Sequence, residues 1–124
     1  MMEITGQITG QITWVYTHDL VASVAFYRDA LGLPVWRDAG AAVIFEPLPG
    51  AKIGVCTAFE DRVVEPAGSM ITLLTDDVDG WYDRLVAAGT TVKGPPEKLE
   101  RFGIYSFFCE DPSGYTIEIQ KFIS

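Results

Sequence analysis

The chain has 124 residues, 48% of them hydrophobic, the length and composition of one globular domain built around a single core. Seventeen acids against nine bases give a net charge of −8, which repels phosphate backbones and anionic lipid surfaces, so neither nucleic acid nor a membrane is expected as a partner. No apolar run reaches the roughly 18 residues of a membrane span, and "MMEITGQITGQ" has neither the basic start nor the apolar run of a secretory signal, which makes the cytoplasm the expected location.

In chain order, residues 1 to 9 read as a loosely held start and "QITWVYT", 11 to 17, as the first strand. "DLVASVAFYRDALG" follows, with Leu20, Val24, Tyr27 and Leu31 spaced for one helix face, an Asp at the N-cap and Gly32 at the stop, which predicts an amphipathic helix over 19 to 31. Three β-like runs come next, "PVWRD", "AAVIFE" and "AKIGVCT", separated by "AG" and "PLPG". The second half repeats the order: "SMITLLT" as a strand, "DDVDGWYDRLVAAG" as a helix capped by Asp76 or Asp77, then "TTVKG", a Pro/Gly-bearing loop, "IYSFFCE", the turn "DPSG" and "YTIEIQKF". The halves superpose by offset, since Thr17 and Thr75 stand 58 residues apart and Gly32 and Gly89 57 apart. The expected fold is therefore α+β, one domain of two βαβββ modules at about 11–57 and 69–122. Cys56 and Cys109 sit inside apolar runs and read as reduced core residues.

"DLVASVAFYRDALGL" (19 to 33), "VDGWYDRLVAAGTTV" and "EDPSGYTIEIQ" (110 to 120) carry a resemblance to the vicinal oxygen chelate superfamily, which holds glyoxalase I, extradiol dioxygenases, fosfomycin-resistance transferases and bleomycin-resistance binding proteins. The resemblance covers nearly the whole chain. It implies that each module curls as a four-stranded sheet, that paired modules enclose a cup carrying the ligand site, and that the chain forms a homodimer.

Alternation assigns the faces independently, because each strand turns one face to the helices and the other into the cup. Ile117 and Ile119 then belong to the helix side, leaving Thr116, Glu118 and Gln120 in the cup, and Ile53 and Val55 leave Lys52, Gly54 and Cys56. The first strand of each module offers Ile12, Trp14 and Tyr16, and Met70, Thr72 and Leu74; a slip of one residue would exchange their faces.

Metal-dependent members of the superfamily use four positions filled by His, Glu or Gln, and the resemblance carries these onto Ile12, Gly54, Met70 and Glu118. Isoleucine and glycine offer no donor and a thioether suits a hard divalent ion poorly, so no metal and no other cofactor is expected. The only histidine, His18, sits at a strand-to-helix turn and reads as a surface or capping residue.

Without a metal the cup reads as an apolar, aromatic pocket for a small organic molecule, lined by Ile12, Trp14, Tyr16, Lys52, Met70, Leu74, Tyr105, Phe107 and Glu118, with Trp36 and Phe45 as further candidates. Trp and Tyr can stack on flat rings, while Glu118 or Lys52 can pair with a charged group. This pattern is similar to the drug-binding branch, whose metal-free dimers sequester an antibiotic unaltered. The alternative is an enzyme of lyase, isomerase or dioxygenase type using Glu118 as its one candidate general acid or base, with Tyr105, Ser106 or Lys52 as a partner donor, or a metal held in a non-standard way.

Overall fold

The structure is a computed structural model and describes residues 6–123. The expected loose start lies partly outside these residues; 6 to 10 carry no regular structure. Strand β1 (Gln11–Thr17) leads into helix α1 (Leu20–Ala25), which widens into a π-helical turn at Phe26–Ala30. Asp19 caps α1 by accepting from the Ala22 N–H at 3.1 Å. The expected 19–31 helix is therefore real but not uniformly α: the Leu31 N–H reaches back five residues to the Phe26 carbonyl. Gly32 then ends it with φ +66°, a left-handed conformation that only glycine adopts without cost.

Strands β2 (Val35–Asp38), β3 (Ala42–Leu48) and β4 (Ala51–Thr57) complete the first sheet in the order β1-β4-β3-β2, with β1 parallel to β4 and the others antiparallel. The second module repeats this plan: β5 (Met70–Leu74), α2 (Val78–Ala87), β6 (Thr91–Val92), β7 (Glu97–Leu99), β8 (Ile104–Glu110) and β9 (Thr116–Phe122). Its sheet runs β5-β9-β8-β6, with β5 parallel to β9, and β7 also pairs with β8. The loop after Val92 thus supplies an extra short strand. Of the two candidate caps, Asp77 accepts from the Gly80 N–H at 3.0 Å.

One apolar core joins the helix-facing sides of both sheets, from Val15, Val43, Phe45, Ile53 and Val55 to Phe107, Cys109, Ile117 and Ile119, with Tyr27, Leu31 and Leu85 from the helices. Polar contacts tie the modules together at one end of that core. The Tyr27 hydroxyl donates to Asp111 Oδ2 at 2.7 Å, and Asp111 Oδ1 accepts from the N–H groups of Ser113 and Tyr115 at 2.9 Å each. Burial pushes the Asp111 carboxyl above its ordinary value, against the pull of those donors, and burial followed by the charge of Asp111 holds Tyr27 protonated. The Tyr115 hydroxyl in turn accepts from the N–H groups of Tyr16 and Glu65. No helix among the described residues is long and apolar enough to cross a membrane.

Candidate functional site

Because β1 sends Val15 and Thr17 inward, Ile12, Trp14 and Tyr16 stand on the face turned away from the helix. In the parallel β1–β4 register they lie beside Lys52, Gly54 and Cys56, and Ile44 of β3 flanks Gly54 on the other side. The Trp14 ring covers Gly54: a β-carbon at position 54 would come within 2.8 Å of Cδ2, Cε3 and Cζ3 of the indole. Trp14 remains 37% exposed, so the ring is a platform with one face on the sheet. Lys52 Nζ lies 4.5 Å from the Trp36 ring centroid and 3.3 Å from Glu46 Oε2, which fixes its charge at the β2 side of this face. At the far end Arg62 donates to the Tyr16 hydroxyl at 3.2 Å, a neighbour that strand alternation could not reveal because Arg62 comes from the loop after β4.

In the second module the open face carries Met70, Thr72 and Leu74 of β5, Thr116, Glu118 and Gln120 of β9, and Ser106 and Phe108 of β8. Glu118 lies between its cross-strand neighbours Thr72 and Phe108 and is buried. The Thr72 hydroxyl donates to Glu118 Oε1 at 2.8 Å. With its amide nitrogen turned toward Glu118, the orientation that satisfies both groups, Gln120 donates to both carboxylate oxygens at 3.0 Å. Thr72 was visible as a cup residue, but its role as the partner of Glu118 follows only from the β5–β9 register.

Three aromatic candidates fall elsewhere. Phe107 is 1% exposed and packs edge-on against Tyr82 of α2, with centroids 5.3 Å apart, and Tyr105 hydrogen-bonds Asp79 on the same helix. Phe45 is fully buried against Tyr27. The physical reason is phase: "IYSFFCE" has large apolar residues at both parities, so alternation alone cannot choose between Tyr105/Phe107 and Ser106/Phe108. The structure puts Ser106 and Phe108 on the open face. Trp36 is 49% exposed beside Lys52, and His18 is exposed at the β1–α1 turn.

The four positions that would hold a divalent ion do not fit one. Ile12 has no donor, the space above Gly54 is taken by an indole, Met70 offers a thioether, and Glu118 is engaged by Thr72 and Gln120. Among the described residues no group of three or more His, Cys, Asp or Glu side chains is placed to bind a metal.

Among solved structures, the chain is similar to a glyoxalase/bleomycin resistance protein/dioxygenase from Nocardioides, at 22% identity and a TM-score of 0.75 over 98% of this chain and 87% of that one. TioX from Micromonospora sp. ML1 is similar at 17% identity and a TM-score of 0.76, over 91% of this chain and 98% of that one. A lactoylglutathione lyase from Agrobacterium tumefaciens shares 24% identity and a TM-score of 0.71, over 95% and 94% of the two chains. No curated protein matches the sequence. The family model of the Glyoxalase/Bleomycin resistance protein/Dioxygenase superfamily matches residues 7–119. With two modules on the βαβββ plan in the structure, the second carrying one extra short strand, and that match over nearly the whole sequence, the chain belongs to the Glyoxalase/Bleomycin resistance protein/Dioxygenase superfamily.

Proposed function

We propose that this protein binds a small, partly aromatic organic molecule on the open sheet faces without a metal, holding it unaltered as a sequestering protein does. The observation that carries the reading is the Trp14 ring lying on Gly54, where a metal-dependent relative would need a ligand side chain. A flat indole with one free face suits a stacked planar ring, an interaction worth about 0.5–1.5 kcal/mol beyond the area it buries. Ile12, Tyr16, Met70 and Leu74 supply further apolar surface, and Lys52 and Glu118 supply charge at defined points.

The same faces support a homodimer. Met70 is 53% exposed, Leu74 64% and Trp36 49%, and a second copy would cover apolar surface of this kind. Glu118, held by two neutral donors, suits a fixed anchor for the ligand. The cytoplasm suits a protein whose two cysteines are free and buried. The test is a tryptophan-fluorescence titration of chelator-treated protein with flat aromatic compounds, followed by mass spectrometry of the ligand. Saturable quenching with the ligand recovered intact is expected; turnover of the ligand, or binding that needs added divalent metal, would overturn the reading.

A further inference from the structure

The open face of the second module has an uneven polar inventory. Ser106 and Gln120 stand directly opposite each other on β8 and β9, and Glu118 is two residues along the same face of β9. Ser106 is 3% exposed, and its hydroxyl oxygen is buried with no hydrogen-bond partner among the described residues. Gln120 spends its amide nitrogen on Glu118 and so holds the carboxylate in place. The ion pairs among the described residues join Arg28 to Asp29, Lys52 to Glu46, Arg62 to Asp61 and Lys93 to Glu110, and none includes Glu118. The face therefore holds a carboxylate with only neutral partners and an unmet hydroxyl, beside the Phe108 ring.

Such a set is matched by a group that carries several N–H donors and a positive charge. A buried carboxylate is best completed by a charge-assisted donor, the Ser106 hydroxyl oxygen accepts a second N–H, and an aromatic neighbour favours a cation over an anion. We infer that Glu118, held by Gln120, and Ser106 form a recognition site for a cationic nitrogen group of the ligand, an ammonium, amidinium or guanidinium attached to its aromatic part. This rests on the reading that the protein binds a small aromatic molecule, and it adds the charge of that molecule and the residues that select it.

Three naphthalene probes that differ only in the polar group test it by calorimetry: 2-(aminomethyl)naphthalene, 2-(hydroxymethyl)naphthalene and 2-naphthoate. The amine is expected to bind at least tenfold more tightly than the alcohol, and the naphthoate more weakly than either. Glu118→Gln should bring the amine down to the affinity of the alcohol while leaving the alcohol unchanged, and Ser106→Ala should weaken the amine several-fold. Asp29→Asn, at a side chain 62% exposed on the helical turn behind the first sheet, should leave all three unchanged. Equal affinity for amine and alcohol, parallel losses for both in Glu118→Gln, or an equal loss of amine binding in Asp29→Asn would overturn the inference while leaving aromatic binding intact. Failure of all three probes to bind would overturn both the inference and the reading beneath it.

Discussion

The indole of Trp14 lies across the backbone of Gly54, its partner in the parallel β1–β4 register, closely enough that no side chain at 54 can coexist with the ring in place. In an ordinary strand, alanine in place of glycine gains roughly 0.5–1 kcal/mol through the unfolded chain. At Gly54 the sign reverses, because the added methyl group displaces an aromatic ring, and overpacking of this kind costs about 1–3 kcal/mol. Gly54→Ala should therefore lower the denaturant midpoint, shift tryptophan emission and weaken aromatic ligands. A stabilised Gly54→Ala protein with unchanged emission would contradict this contact.

The Tyr27–Asp111 hydrogen bond joins the first module's helix to the turn between β8 and β9. Tyr27→Phe leaves a buried carboxylate short of one donor, at a cost of about 1–3 kcal/mol. Chemical denaturation at pH 7 should show that loss with an unchanged slope.

Asp111 also sets a pH dependence. Its carboxyl is raised by burial, so the folded state holds the proton more tightly than the unfolded state does. The resulting stabilisation is complete below the unfolded value of about 4 and is lost as pH rises through the folded value. Relative to Asp111→Asn, the wild-type protein should gain in melting temperature as pH falls through that window. A difference that is flat or shrinks on acidification would show that Asp111 is not buried as described.

Cys109 is fully buried, and burial, reinforced by the nearby charges of Asp111 and Glu110, pushes its thiol up to about 12. At pH 8 a thiol reagent should leave Cys109 unmodified until denaturant is added. Rapid labelling of Cys109 in the native protein, located by peptide mass, would contradict its place in the core.

Much of this was legible in the sequence where periodicity and turn chemistry agree. The two helices with their aspartate caps, the glycine stops and the repeated strand order follow from local signals that tertiary packing reinforces. "YTIEIQ" placed Glu118 correctly on the face away from the helix because its isoleucines occupy one parity only. "IYSFFCE" did not, because aromatic residues at both parities leave the phase to be set by Tyr82 and Asp79 of α2. The widening of α1 at Phe26 has no local signal in its residues. Tyr27 and Asp111 both lie in recognisable motifs, yet their contact spans 84 residues and depends on how the modules pack. Gly54 illustrates the same limit: in the sequence it is a missing donor, and only the folded chain brings an indole into its place.

The most direct test of metal-free binding on the Trp14 platform is an NMR titration of isotope-labelled protein with 2-(hydroxymethyl)naphthalene in excess chelator. The Trp14 indole N–H and the Gly54 and Ile44 backbone N–H signals should shift together and saturate with a single binding constant. Shifts confined to other residues, or shifts at Trp14 that appear only after a divalent metal is added, would contradict the account.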